Sequence, residues 1–323
     1  MSKSAILLVG GMGTRLHPIT LNIPKPMLPV AGIPFTEHQI VKAREAGIDE
    51  IVLATSFKAE LFEPYFGNGE NFGISIRYAV EETPLGTGGA IRNAAKMLSG
   101  DGLVAIFNGD VLSGHDLEGQ FKFHQEKGAD VSLFLTQVSD ARSFGAVELD
   151  NENRVLAFNE KMENPPTNII NAGCYIFNKE ILDKIPEGKV VSVERETFPN
   201  FLSEGVRVFG FVDNSYWLDI GNPSALLQAT KDLISGKAIS AATPQRTKGA
   251  VILPGAVVDS SAKVINGSVI GANCRVGARA VIDNSILFDG SEVGADVEIS
   301  SSFVAKDFKI PSGVIGISNF FGF

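Results

Sequence analysis

Ala5-Ile6-Leu7-Leu8-Val9 runs directly into Gly10-Gly11-Met12-Gly13-Thr14-Arg15-Leu16. Five apolar residues without polar alternation read as a strand buried on both faces, and such strands belong to parallel sheets covered by helices. The glycines behind it let peptide N–H groups approach an anion, and Arg15 adds a bidentate donor for phosphate. No Gly-Lys-Ser/Thr follows, so the loop is not a P-loop, and Arg15-Leu16 stands where a dinucleotide fingerprint has its third glycine. Downstream the alternation continues: a helix over Thr36–Ala46 closing at Gly47, strands at Glu50–Thr55, Ile74–Val80, Leu103–Phe107 and Val131–Gln137, and helices near Ala90–Leu98 and Asp116–Lys127. This pattern predicts a doubly wound α/β domain, its sheet mostly parallel with helices on both faces. Ligands bind such sheets at the carboxyl ends of the strands.

After Ile234 the texture changes. The sequence predicts a first domain over 1–235, a small, polar, Pro-containing linker over 236–249, and a second domain over 250–323. In the last, Val264, Ile270, Val276, Ile282 and Phe288 recur every six residues, preceded by Val251 and Val257 and followed, after a one-residue slip, by Val293 and Ile299. A helix needs a period of about 3.6 and a half-buried strand a period of 2, so neither fits. Six-residue periodicity is the mark of hexapeptide repeats in a parallel β-helix. At about 18 residues per turn, Val251–Gly316 supplies under four turns. The open ends of so short a stack predict self-association into a homo-oligomer. The terminal Asn319-Phe320-Phe321-Gly322-Phe323 reads as a cap on that end, a subunit contact or a frayed tail.

Composition narrows the function classes. The 323 residues are 44% hydrophobic and 20% charged, which excludes a disordered or fibrous chain. A net charge of −9 argues against nucleic acid as a partner, while leaving room for small anions held by a few local cations. Cys174 and Cys274 imply neither a disulfide framework nor a Cys-rich zinc site. Met1–Gly11 has too short an apolar core for a signal peptide, and no stretch approaches the ~18 apolar residues of a membrane span. The expectation is a cytoplasmic protein without a membrane partner.

Pro24-Lys25-Pro26-Met27-Leu28-Pro29 follows ten residues after Arg15. Its prolines predict an extended backbone at Lys25 and a fixed direction for the ammonium. The combination G-G-x-G-T-R-L-x-P-x-T…P-K-P-M-L-P-V resembles the signature of the sugar-1-phosphate nucleotidylyltransferases. The likeness spans nearly the whole chain and is nearest to the mannose-1-phosphate guanylyltransferases, hexapeptide-repeat C-terminal domain included. It implies a Rossmann-like nucleotidyltransferase domain followed by a short left-handed parallel β-helix. It further implies NTP plus sugar 1-phosphate as small-molecule substrates, and NDP-sugar plus pyrophosphate as products. GTP and mannose 1-phosphate are favoured.

Residue by residue, the resemblance assigns nucleotide binding to Leu8, Gly10, Gly11, Gly13, Thr14, Arg15, Lys25, Glu81, Gly86 and Asp110. Glu81-Glu82-Thr83-Pro84-Leu85-Gly86 looks like the base-binding loop. Guanine presents adjacent N1–H and N2–H donors that one carboxylate accepts as a fork, so a carboxylate at Glu81 or Glu82 favours GTP. Asp110, at the tip of the apolar strand Leu103–Phe107, is placed to hold a hard cation. The resemblance makes it a Mg²⁺ ligand together with Asp219 of Trp217-Leu218-Asp219-Ile220-Gly221. It also gives Gly145, Glu160 and Asn171 to the sugar and Lys161 to its phosphate. Arg15, Lys25, Lys161 and Asp110 are then the catalytic set.

Two departures concern the sugar loops: Phe144 stands where relatives often have Tyr, and Met162 follows Lys161 where Pro is usual. Ser192 with Glu196 reads as a helix start, a structural role. The alternatives are a glucose-1-phosphate thymidylyl- or uridylyltransferase and a non-catalytic regulatory subunit. Against an acetyltransferase in the β-helix stands the absence of histidine after residue 249.

Overall fold

A computed structural model describes residues 2–56, 58–247 and 249–323, folded as two compact units. Lys248, inside the expected linker, lies outside the described residues, as do Met1 and Phe57. One unit comprises Met1–Gly11 and Gln39–Trp217, the other Met12–His38 and Leu218–Phe323.

In the first unit, β1 (Lys3–Leu8), β2 (Glu50–Thr55), β3 (Ser75–Val80) and β4 (Leu103–Asn108) run parallel. β1 lies between β2 and β4, with Ile6 opposite Val52 on one side and Ile106 on the other. Both faces of β1 are dry, Ala5, Ile6 and Leu7 having no exposed surface, as its unbroken apolar run requires. The crossovers carry α1 (Phe35–Glu45), α2 (Gly86–Ala95) and α3 (Leu117–Glu126). Asp116 caps α3 by accepting the Gly119 N–H at 2.8 Å. α2 begins four residues before its expected start, because Gly86-Thr87-Gly88-Gly89 forms its first turn.

The second half of the sheet corrects the mostly parallel expectation. β5 (Val131–Gln137), β6 (Gly145–Leu149), β7 (Val155–Glu160), β8 (Ile169–Asn178) and β9 (Val208–Val212) complete nine strands among the described residues. The order is β7-β6-β8-β4-β1-β2-β3, with β5 on β8 and β9 on β5. β8 runs antiparallel to β4, β5 and β6, and β7 antiparallel to β6. A turn as short as the one between Leu149 and Val155 can only reverse the chain, whereas a parallel crossover needs a dozen residues or more. Leu133, Tyr175, Phe177, Phe198 and Phe201 fill the core beneath this half. Each such large side chain contributes roughly 1.5–3 kcal/mol by leaving water.

The second unit opens with three 3-10 turns, Thr14–Leu16, Ile19–Leu21 and Lys25–Met27. It also contains α4 (Pro223–Ser235), capped by the Asn222 side chain and stopped at Gly236 with φ +85°. The rest is three stacks of short parallel strands that fit a left-handed β-helix. Successive coils pair Val251 with Val269 and then Ile286, Phe303 and Phe320, so the first coil takes 18 residues and each later one 17. That shortening relocates the slip seen in the sequence. Leu287, not Phe288, continues the inward row from Ile270, and Phe288 packs against Phe323. Val258 likewise points inward, leaving Val257 exposed. The tail is neither frayed nor spare: Phe320–Phe321 adds the last strand, Phe320 stacks on Phe303, and Phe321 packs against the core at the end of the coil.

A buried hydroxyl column runs through the β-helix. Ser268, Ser285 and Ser302 are solvent-free, and each oxygen accepts the N–H 17 residues on, at 3.0–3.1 Å. Ser285→Ala removes the acceptor of the Ser302 N–H and strands a buried donor. The expected cost is about 1–3 kcal/mol, read as a lower melting temperature with turnover unchanged. An unaltered melting temperature would show that the column adds nothing.

Candidate active site

The carboxyl ends of β1, β2 and β4 meet. Gly109 N–H donates to the Leu8 carbonyl at 3.0 Å, and a Cβ on Gly109 would lie 2.2 Å from that oxygen, so only glycine allows the contact. This bond sets Asn108-Gly109-Asp110 beside Leu8-Val9-Gly10. Ser56 Oγ, just beyond β2, donates to the Gly10 carbonyl at 2.7 Å, and Gly11 is exposed with open space where a side chain would be. Asp110 is half-buried at this meeting point.

The loop after β3 separates its two glutamates. Glu81 donates its N–H to Thr55 O at 2.9 Å, while its Oε2 accepts the Leu85 N–H at 3.1 Å. Its Oε1 is buried without a hydrogen-bond partner, and burial raises its carboxyl above the usual 4.5. Glu82 is exposed. Gly86, at φ +71°, lies against the Val191 carbonyl, which accepts the Gly88 N–H at 2.8 Å.

Gly145 and Glu160 are direct partners across β6 and β7, and a Cβ on Gly145 would meet Glu160 Oε2 at 2.8 Å. Burial raises the Glu160 carboxyl, the neighbouring Lys161 opposes that shift, and Glu194 adds to it. Lys161 adopts φ +51°, donates its N–H to Phe144 O at 3.1 Å, and holds Nζ 3.5 Å from Glu160 Oε1. The backbone bond, not the missing proline, therefore fixes this turn. Phe144 packs edge-on to Trp217, whose indole N–H donates to Ala172 O at 3.0 Å. Asn171 lies at an irregularity in the β5–β8 pairing. Its Oδ1 accepts the Gly173 N–H at 3.1 Å, and its Nδ2 donates to the Tyr175 hydroxyl at 2.8 Å.

In the second unit, Gly13 takes φ +63° and its carbonyl accepts the Thr20 hydroxyl at 2.9 Å. Any Cβ there would strike Lys25 Cβ at 2.8 Å, so the glycine turn and the lysine pack face to face. Thr14 is exposed at the head of the following 3-10 turn. The Arg15 guanidinium covers Gly221, where a Cβ would stand 3.0 Å from Nη1. Arg15 and Asp219-Ile220-Gly221, some two hundred residues apart in sequence, thereby share one patch of this unit. Lys25 is not extended as expected. It opens a 3-10 turn closed by Met27 N–H to Pro24 O at 2.9 Å and Leu28 N–H to Lys25 O at 3.1 Å. Prolines remove donors at 24 and 26 but leave those carbonyl and amide partners, and the turn uses them.

The first unit thus gathers Leu8, Gly10, Gly11 and Asp110, then Glu81 with Gly86, then Gly145, Glu160, Lys161 and Asn171. The second unit gathers Gly13, Thr14, Arg15, Lys25 and Asp219. Sequence reasoning missed Thr87, Tyr175 and Glu194. Ser192 does begin a helical segment, its Oγ accepting the Arg195 N–H at 3.2 Å and its N–H reaching Glu196 at 2.9 Å. That capping pattern hid Glu194 between two residues whose role was plain.

Residues 4–236 match the family model described as nucleotidyl transferase, and 237–319 match that of a GlmU-like C-terminal hexapeptide domain. The chain is 47% identical over 292 residues to a mannose-1-phosphate guanylyltransferase of Mycobacterium tuberculosis, covering 90% of this chain and 81% of that one. It is 33% identical over 322 residues to mannose-1-phosphate guanylyltransferase 1 of Arabidopsis thaliana, covering 97% and 85%. Among solved structures, HddC from Yersinia pseudotuberculosis complexed with GMP-PN is similar at a TM-score of 0.59 and 30% identity, over 71% of this chain and 98% of that one. By its sequence, its strand-end site and its β-helix, the chain belongs to the nucleotidyl transferase family.

Proposed function

We propose that this enzyme transfers a guanylyl group from GTP to mannose 1-phosphate, giving GDP-mannose and pyrophosphate. The observation that supports the base assignment is that Glu81, not the exposed Glu82, is held within the loop after β3, its Oε2 on the Leu85 N–H and its Oε1 without a protein partner. The carboxylate suits the paired N1–H and N2–H of guanine, whereas thymine and uracil present one N–H between two acceptors. The similarity to mannose-1-phosphate guanylyltransferases along 90% or more of the chain supports the sugar.

No residue need become covalently attached. The sugar-phosphate oxygen attacks the α-phosphorus in line, that P–O bond forms as the bond to pyrophosphate breaks, and catalysis is positioning plus neutralisation of charge. In this reading Arg15 and the amides of Gly10, Gly11, Gly13 and Thr14 bind the triphosphate beside Leu8 and Gly86. Lys25 meets the charge developing at the reacting phosphate. Lys161 orients the attacking phosphate, while Gly145, Glu160 and Asn171 hold the sugar hydroxyls. Asp110 and Asp219 are hard oxygen donors, fitting a Mg²⁺ bound by two carboxylates plus substrate oxygens, and no larger acidic or His/Cys cluster occurs among the described residues. When bound, that ion supplies further neutralisation of the nucleotide oxygens.

Nucleotidyl transfer is assigned to 1–235, with 236–249 as linker. The β-helix over 250–323 serves homo-oligomer formation, a reading supported by the exposed Ile315 and Ile317 on its last coil. No described helix is long and apolar enough to cross a membrane. We place the reaction in the cytoplasm, where nucleoside triphosphates and sugar phosphates meet.

Pyrophosphate release with Mg²⁺, crossing GTP, dTTP, UTP and ATP with mannose and glucose 1-phosphates, tests the reading. Turnover should be strongest with GTP and mannose 1-phosphate. Preference for dTTP or UTP with glucose 1-phosphate would overturn the base argument, and silence from folded protein would favour a regulatory subunit. Lys25→Ala should lower kcat by roughly 10²–10³, the effect of losing one preorganised charge; near-wild-type turnover would remove Lys25 from the mechanism.

The fork on guanine needs an ionised carboxylate. Because burial raises the Glu81 carboxyl, the KM for GTP should climb as pH falls through a range lying above 4.5. Glu81→Gln should flatten that limb and raise the KM about tenfold at neutral pH. An acid limb unchanged in the variant would assign it to another group.

A further inference from the structure

The Tyr175 hydroxyl is fully buried in the core beneath the sugar strand. A phenol has one proton to give and two lone pairs to fill. Asn171 Nδ2 donates to it at 2.8 Å. With that amide on the oxygen, the phenol donates its proton toward Glu194, whose Oε1 stands 3.5 Å away. The other carboxylate oxygen of Glu194 is occupied from the opposite side. Oε2 accepts from Thr87 Oγ1 at 2.9 Å and from Ser192 Oγ at 3.2 Å, and Thr87 in turn accepts the Val193 N–H at 2.8 Å. Thr87 lies in the first turn of α2, directly behind the Glu81–Gly86 loop.

We propose that Glu194 is a positioning residue of the sugar subsite, acting through the Tyr175 hydroxyl to fix the amide of Asn171. The chain of donors admits one arrangement. Glu194 orients the phenol proton, the phenol takes an N–H from Asn171, and Asn171 Oδ1 takes the Gly173 N–H at 3.1 Å. Asn171 is left with one N–H and one lone pair in set directions, which is what reading a sugar hydroxyl demands. Without an acceptor at 194 the phenol rotor is free, its lone pair is no longer held toward Asn171 Nδ2, and the Gly173 N–H alone is left to orient that amide. Glu194 also lies close enough to Glu160, the other carboxylate of this subsite, for its charge to be felt there. The same side chain joins the head of the base-loop helix to the sugar strand.

The proposal rests on Asn171 facing the sugar. The experiment takes the full-length enzyme as Glu194→Leu, which removes the acceptor, Tyr175→Phe and the double variant, measuring KM for sugar 1-phosphate, KM for GTP, kcat and melting temperature. Each single change should raise the sugar 1-phosphate KM about tenfold and leave the GTP KM within about twofold. The double variant should match the worse single, since both cut one chain of bonds. Unchanged sugar KM in both singles, penalties that multiply in the double, or equal rises in both KM values would overturn it. Should Glu194→Leu fail to fold, Tyr175→Phe, which keeps the ring and removes only the hydroxyl, decides alone by the same KM split. Wild-type enzyme that prefers another nucleotide–sugar pair refutes the functional reading before any variant is compared, and the split is then read with that pair.

Discussion

One peptide hydrogen bond organises the first unit: Gly109 N–H to the Leu8 carbonyl, 3.0 Å, between the ends of adjacent parallel strands. A side chain at 109 would place a carbon 2.2 Å from that oxygen, so the bond exists only because the residue is glycine. It brings the start of the glycine loop and the tip of the strand bearing Asp110 to one point. In a parallel sheet the strand ends that face solvent together are carboxyl ends, and their loops leave in the same direction. β1 is hydrogen-bonded to a strand on each side, with Ile6 opposite Val52 and Ile106, so both neighbours set its register and the loops leave the sheet at fixed positions.

The antiparallel half works under a different constraint. Its strand Ile169–Asn178 carries polar groups into a core of aromatic rings, and each buried donor there must find an acceptor. Tyr175 meets the demand by linking Asn171 and Glu194, which belong to separate stretches of chain. The price of a hydroxyl in that place is a network that cannot be rearranged locally, and rigidity of this kind suits the sugar subsite proposed there. The β-helix solves its own version with Ser268, Ser285 and Ser302, which pair only with their own repeats. One network is closed upon itself and the other opens onto a subsite.

What the sequence made legible follows the same division. Glu50–Thr55 and Val131–Gln137 begin and end where the sequence places them, because a strand-length, mostly apolar stretch between polar turn residues marks a buried strand locally. Asp116 and Gly47 could be read as helix punctuation because capping is local chemistry. The conformation of Lys25 could not be read, since proline statistics favour extension while the 3-10 bonds that override them depend on neighbouring amides. Nor could the inward turn of Leu287 in place of Phe288: both are apolar, and only the 17-residue coil distinguishes them. Glu194 was invisible for a third reason. A glutamate beside an N-cap serine looks like helix-start chemistry, and its partners Thr87 and Tyr175 are distant in sequence.

The electrostatics complete the argument. In the proposed reaction a chain of net charge −9 holds polyphosphate with few cations, so each one has to be aimed. Backbone does the aiming in all three cases. Lys25 is packed on Gly13, the Arg15 guanidinium lies over Gly221, and Lys161 is turned outward by a positive φ and tied to Phe144. A long cationic side chain loses about 2 kcal/mol of rotamer entropy when fixed, and contact with a glycine surface fixes much of the stem before any ligand arrives. Surplus acidity elsewhere then costs the site little, because charges more than about 8–10 Å away are screened at physiological salt. An acidic protein can therefore serve anionic substrates, provided its backbone, rather than its net charge, presents the cations.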